Sequence, residues 1–200
     1  MLMSGLASVT FRKLLPREIV KLVSSAKLDG IEWGGDIHVP HGHTAQAEEV
    51  RTMTNDAGLN VISYRAYYRV GEEKGVDFQS VVDVACALET EIIRIWAGRQ
   101  SFRTANQDYL QRFVEETRRI AAYAKQANKI LAFEFHCGTL FDSGEAANTL
   151  LRQIDCSNIG TYWQVQYQEK FDVCSNDLRQ VLPYLVNIHA FHIDSTGQRV

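Results

Sequence analysis

A chain of 200 residues with 46% hydrophobic and 22% charged residues has the make-up of one folded globular domain, which excludes a disordered, collagen-like or fibrous protein. Lysine and arginine number 21 and aspartate and glutamate 24, a net charge of −3, so no strong basic field draws nucleic acid or anionic lipid. No apolar run reaches the ~18 residues of a membrane span, and MLMSGLASVTFRK lacks the charged-then-apolar order of a signal peptide. A cytoplasmic protein with no membrane or nucleic-acid partner is expected. Cys86, Cys137, Cys156 and Cys174 form no CxxC pair and read as reduced small hydrophobes.

In chain order, short runs rich in Val, Ile and aromatics alternate with stretches of helical periodicity. LASVTF (6 to 11) reads as a strand. A helix follows with Pro16 at an early position and Ile19, Leu22, Val23 and Ala26 on one face, closed by Gly30. GIEWGG (30 to 35) is the second strand, and the helix after it closes at Gly58. NVISYRA (60 to 66) leads to a helix capped by Asp77, with Phe78, Val81, Val82 and Ala85 on its apolar face. EIIRIWAG (91 to 98) precedes the longest helix, whose face carries Leu110, Phe113, Val114, Thr117, Ile120, Ala121 and Ala124. KILAFEFH (129 to 136) leads to a helix opened by Ser143, and IGTYWQVQ (159 to 166) to one opened by Ser175, with Leu178, Val181, Leu182 and Leu185 along it. NIHAFHID (187 to 194) is the seventh strand.

Seven β/α units in a row demand parallel strands with right-handed crossovers, and they fit a (β/α)8 TIM-type barrel better than an open doubly wound sheet. The first strand runs into Phe11, Arg12, Lys13 and Leu14, with no GxGxxG phosphate turn. The expected organisation is one barrel domain over 1–200, C-terminally incomplete, because a full barrel needs eight strands and typically ~250 residues. Exposed strand edges left by a missing eighth unit are expected to favour a homo-oligomer.

Barrels of this kind carry their chemistry at the C-terminal ends of the strands. Polar residues concentrate there: Asp36, His38, His41 and His43; Tyr64, Arg65, Tyr67 and Tyr68; Trp96 and Arg99; Glu134 and His136; Trp163, Gln164, Gln166 and Tyr167; His189, His192 and Asp194. Glu134 sits on an otherwise apolar strand, where a carboxylate is costly to bury unless it meets a cation or donors. It reads either as functional or as the partner of Arg94 in a structural ion pair. Glu134 and His136 alternate, so their side chains share a face.

GIEWGGDIHVPHG, RIWAG, FEFHCGTLFDS, YWQVQY and HAFHID, in this order at successive strand ends, resemble the xylose isomerase-like barrel superfamily of sugar phosphate isomerases and epimerases, dehydratases and endonuclease IV. The resemblance implies a divalent metal (Mn, Mg, Co or Zn) held by residues from strands 5 to 8. It places Glu134 first among the ligands, Gln164 where the family has an aspartate, and His192 at the strand-7 histidine. Asp194 replaces the family's lysine, and the strand-8 glutamate has no counterpart. The neutral Gln164 removes one charge from the ligand set. The activity implied is metal-dependent sugar (phosphate) isomerisation or epimerisation through an enediolate, with Glu134 as base. His38 and His136 would bind sugar oxygens, and Trp96, Trp163 and Tyr64 would form the flat walls of a sugar or polyol pocket. The alternatives are a dehydratase of a cyclic hydroxyketone, of dehydroshikimate or inosose type, and a non-catalytic sugar-binding barrel.

Overall fold

The structure, a computed structural model, describes residues 3–72, 76–166 and 170–192. Strands and helices alternate: β1 (Gly5–Ala7), α1 (Pro16–Ser25), β2 (Gly30–Gly34), α2 (Thr44–Asp56), β3 (Asn60–Arg69), α3 (Phe78–Ala87), β4 (Ile92–Trp96), α4 (Gln107–Gln126), β5 (Ile130–Glu134), α5 (Gly144–Ile154), β6 (Ile159–Gln164), α6 (Phe171–Val181) and β7 (Leu185–His189). One sheet takes these strands in chain order. The pairs β1–β2, β2–β3, β5–β6 and β6–β7 are parallel. This is the β/α repeat of the TIM-type barrel that the sequence pattern predicts.

The helix starts follow local chemistry. Pro16 lacks the N–H that a first helical residue would leave unpaired, and the Leu15 N–H donates to the Glu18 carboxylate at 2.7 Å. Asp77 accepts from the Gln79 N–H (3.3 Å) and Ser143 from the Ala146 N–H (3.2 Å). The described end of the chain departs from the pattern. The last helix begins at Phe171, so Ser175 lies inside it, and it stops before Pro183, which cannot supply the next backbone donor. Leu182 therefore falls in a 3-10 turn, Leu185 opens β7, and β7 ends at His189.

The first strand is also shorter than predicted. Residues Ser8–Phe11 form a 3-10 turn, and the Gly34 N–H donates to the Ser8 hydroxyl at 2.9 Å instead of to a strand carbonyl. Gly30 does not close α1. That helix gives way to Lys27 in the left-handed conformation (φ 56°), and Gly30 opens β2, where the Asn60 carbonyl oxygen lies 2.3 Å from the place a Cβ would take. Gly58 does follow α2 with φ 73°, as expected.

The chain packs as two compact units, the described parts of Met1–Tyr68, Lys74–Ile95 and Tyr123–Ile130, and of Arg69–Glu73, Trp96–Ala122 and Leu131–Val200. In the first unit Ile19, Val23, Ile31, Trp33, Ala47 and Val50 are buried, whereas Leu22 is exposed. The Trp33 indole N–H donates to the Thr54 hydroxyl at 3.3 Å. In the second unit, Phe113, Phe133 and Phe141 stack with centroids 4.6 to 6.3 Å apart. There Arg118 of α4 donates to the Gln153 (2.5 Å) and Ile154 (3.2 Å) carbonyls at the end of α5, and the Asn158 amide donates back to Ala121 at 2.9 Å.

Gly30→Ala is expected to destabilise by roughly 2 kcal/mol or more, because backbone cannot yield as a side chain would. Gly58→Ala has open space and meets only the positive-φ cost of about 1 kcal/mol. Urea midpoints of the two variants should fall in that order.

Candidate active site

The second unit gathers three of the predicted polar residues by strand register. Glu134 ends β5 and pairs with Tyr162; Gln164 lies two residues further along β6 and pairs with His189. Partners in a parallel ladder and residues two apart share a face, so Glu134, Tyr162, Gln164 and His189 project to the same side. Glu134 is 2% exposed and Gln164 3% exposed. The His189 Nδ1 lies 3.5 Å from the Glu134 Oε1, and its ring meets Tyr162 edge-on with centroids 4.9 Å apart.

Gln164 is oriented by its own backbone surroundings. Its side-chain N–H donates to the Phe135 carbonyl at 2.8 Å. Its Oε1 is buried with no hydrogen-bond partner among the described residues. A buried amide oxygen without a donor is costly, and this one shares the face of the Glu134 carboxylate and the His189 ring.

The imidazole beside Glu134 thus belongs to His189, while His192 lies past the end of β7 and is exposed. The two histidines of HAFHID are three apart and so fall on opposite faces of any strand. Parity against Gln164 is the signal that singles out the first. Asp194 and Tyr167 lie outside the described residues. Trp163 alternates with Tyr162 and Gln164 and therefore occupies the opposite face from Glu134.

Near the end of β4 the Arg69 guanidinium stacks over Trp96 at 4.3 Å and donates to the Gly98 carbonyl at 3.1 Å. His136 meets the same indole edge-on at 5.0 Å, and its Nδ1 donates to the Cys137 carbonyl at 2.8 Å. Burial, then the positive charge of Arg99, push the Arg69 guanidinium below its ordinary value, and the Glu134 carboxylate opposes them. Sequence reasoning passed over Arg69 because it sits beyond the predicted end of the third strand, which runs three residues longer than its apolar run.

Two other predicted residues belong to the first unit. His38 is buried, with its Nε2 3.2 Å from the Leu14 carbonyl and its Nδ1 2.9 Å from the Ser8 hydroxyl. A carbonyl only accepts, so Nε2 carries the proton and Nδ1 accepts from Ser8. Tyr64 is fully buried; its hydroxyl donates to the Val39 carbonyl at 3.0 Å and lies 2.8 Å from the His41 Nδ1. Burial, with the Asp36 charge adding, pushes the Tyr64 phenol far above its usual range. Both side chains have their polar atoms committed to neighbouring protein groups.

Among the described residues no group of three or more His, Cys, Asp or Glu gathers in a way that could hold a metal ion. The set in the second unit reaches three donors through Gln164. One carboxylate, one imidazole and one amide oxygen that lacks a donor suit a divalent cation that accepts oxygen and nitrogen ligands.

A sheet of parallel strands in chain order, with a helix after each strand that leads to the next, defines a (β/α) barrel. The chain belongs to the xylose isomerase-like TIM barrel family, whose model matches residues 20–196. No curated protein sequence matches it. It is similar in fold to the "probable 3-DHS dehydratase AsbF" of Bacillus anthracis, involved in petrobactin synthesis (20% identity, 97% of this chain and 74% of that one, TM-score 0.81). It is likewise similar to the 3-keto-D-glucoside 4-epimerase YcjR of E. coli (14% identity, 98% and 83%, TM-score 0.78). A third is a xylose isomerase-like TIM barrel protein of Mycobacterium smegmatis in complex with magnesium (15% identity, 98% and 78%, TM-score 0.72). No helix among the described residues is long and apolar enough to cross a membrane.

Burial holds the His38 and His41 imidazoles below their ordinary value. The unfolded chain binds these protons first as pH falls, so stability is present above about 6.5 and declines as pH drops from there toward the folded-state values. Denaturation midpoints measured between pH 7.5 and 5 should fall, and the fall should shrink in His38→Asn. A midpoint independent of pH over that range contradicts the buried neutral assignment.

Proposed function

We propose that the protein is an isomerase or epimerase of a small sugar or polyol, in which Glu134 is the general base and Glu134, Gln164 and His189 hold a divalent cation. The observation that carries this reading is the unpartnered Gln164 oxygen on the face where the buried Glu134 carboxylate meets His189. When bound, Mg, Mn, Co or Zn would draw charge from a substrate carbonyl and the neighbouring hydroxyl and so acidify the C–H between them. Glu134 takes that proton on a carboxylate oxygen and, in isomerisation, gives it back to the adjacent carbon, whereas epimerisation needs a second acid to deliver a proton to the opposite face of the same carbon. His189 holds the carboxylate in place, and the bond from Gln164 to the Phe135 carbonyl fixes which end of the amide faces the substrate. Trp96, with Arg69 stacked on it, presents an apolar ring edge beside His136, whose unprotonated Nε2 can accept from a sugar hydroxyl. Dehydration of a cyclic hydroxyketone starts from the same proton abstraction. The likeness to the AsbF fold favours it as the second reading.

The test is a panel of ketoses, phosphorylated ketoses and cyclic hydroxyketones assayed with each divalent metal, beside calorimetric titration of Mn without substrate. Glu134→Gln should lower kcat by about 10²- to 10⁴-fold with the fold intact. His189→Ala and Gln164→Ala should weaken Mn binding by about tenfold or more, and His192→Ala should leave it near that of the wild type. An unchanged rate in metal-replete Glu134→Gln removes this residue as the base. Loss of Mn binding in His192→Ala with retention in His189→Ala returns the ligand role to His192. Production of an absorbing enone assigns the dehydratase.

A further inference from the structure

We propose that Arg69 receives a negatively charged substituent of the substrate, a phosphate or a carboxylate, and so selects an anionic sugar or polyol over a neutral one. The inference rests on the reading of the Glu134 face given above and adds the substrate class to it. Arg69, Trp96 and Glu134 are the last residues of β3, β4 and β5, which follow one another in the sheet, and all three belong to the second unit. The Arg69 guanidinium carbon lies 4.3 Å from the centre of the Trp96 ring, and His136, two residues past Glu134, meets the same indole with centroids 5.0 Å apart. A cation is thus held on the ring that also carries one of the proposed sugar-binding side chains.

The grip on Arg69 leaves part of it unused. One N–H group of the guanidinium donates to the Gly98 carbonyl at 3.1 Å while the head group lies over the indole. Held at two points, it has less freedom to lose when it takes a ligand. Arginine carries five N–H donors in a planar fork that suits the paired oxygens of a carboxylate or phosphate. No ion pair to Arg69 forms among the described residues, and Glu72, three positions on, binds Arg99 at 3.2 Å. Arg69 and Arg99 are therefore neighbouring cations, and the charge of Arg99 adds to burial in disfavouring that of Arg69. An anion seated against both would relieve that repulsion. Arg69 is half-buried and the Arg99 side chain is 63% exposed, so a ligand reaches the pair from solvent and meets Arg69 where water screens it less. A neutral hydroxyl offers no such gain.

The experiment is calorimetric titration of the full chain, with and without Mn, using fructose, fructose 1-phosphate, fructose 6-phosphate, shikimate and shikimate methyl ester, beside turnover assays of the three ketoses. At least one anionic compound should bind about tenfold or more tighter than its neutral counterpart. A preference for a phosphate alone identifies a phosphorylated ketose, one for shikimate alone a carboxylated ring, and one for both an oxyanion subsite open to either. Arg69→Gln should erase the preference and leave the binding of fructose and of the ester unchanged, which loss of a purely structural residue would not do. Arg69→Lys should keep part of the preference, since the charge stays and the fork is lost, and exposed Arg152→Gln should keep all of it. Should Arg69→Gln fail to fold, Arg69→Lys decides, by whether the preference shrinks while the neutral compounds bind as before. No binding of any charged compound, equal affinities for charged and neutral ones, or a preference that survives in full in the Arg69 variants overturns the proposal. Turnover of fructose without an anionic preference leaves the isomerase reading standing and removes this subsite, whereas an Arg69-dependent preference with no turnover of any ketose counts against that reading and keeps the subsite.

Discussion

A carboxylate with almost no exposure on an apolar strand is the constraint around which the second unit is arranged. Glu134 cannot sit at the end of β5 without an answering group, because an isolated buried charge costs far more than a hydrogen bond returns. The answer comes from β7, two strands away, through His189. That contact exists only if β5, β6 and β7 keep their register, with Tyr162 opposite Glu134 and Gln164 opposite His189. A slip of one residue in any of the three would turn one of these side chains to the other face. Gly160, where an added Cβ would stand 2.3 Å from Val186 and 2.8 Å from the Tyr184 carbonyl, lets β6 approach the chain entering β7 closely enough to hold that alignment.

The two units handle charge differently. The first sets the Arg94 guanidinium against the Tyr67 ring and ties two of its histidines to protein groups: His38 bridges Ser8 and Leu14, and His41 meets Tyr64. The second leaves the Gln164 Oε1 buried with no hydrogen-bond partner among the described residues. Satisfied polar groups rigidify a scaffold and open ones await a ligand. On that distinction His38 and His41 serve the scaffold, and the proposed chemistry falls on the Glu134 face.

Much of this was legible before any coordinates. The alternation of β-branched runs with helical periodicity carries the barrel, since each apolar face has only one way to be covered. Asp77, Ser143 and Gly58 mark element ends because their local chemistry acts through neighbours two or three residues away. Glu134 stands out as a charge in an apolar run. What the sequence could not show depends on distant partners. Ser8 looks like a strand residue until the Gly34 N–H is found bonded to its hydroxyl. Gly30 looks like a helix stop until the Asn60 carbonyl is seen beside it. His38, read as a sugar ligand, has both ring nitrogens taken by residues from 24 and 30 positions earlier. The pairing of Glu134 with His189 rests on a register that neither segment carries alone.

Arg118 has an effect that reaches beyond its own helix. The last carbonyls of an α-helix normally face only water, and a terminus held that loosely opens and closes readily. Here mid-α4 clasps the end of α5 through Arg118, while Asn158, just past α5, returns a bond to Ala121 of α4, so the end of α5 cannot open without breaking bonds to α4. Amide protons at the close of α5 should then exchange with solvent together with those of mid-α4, as one cooperative block. β6 begins at Ile159, directly after this knot. The strand that delivers Gln164 thus departs from an anchored point, and thermal motion of the amide oxygen is limited by the stability of two helices instead of by a single turn.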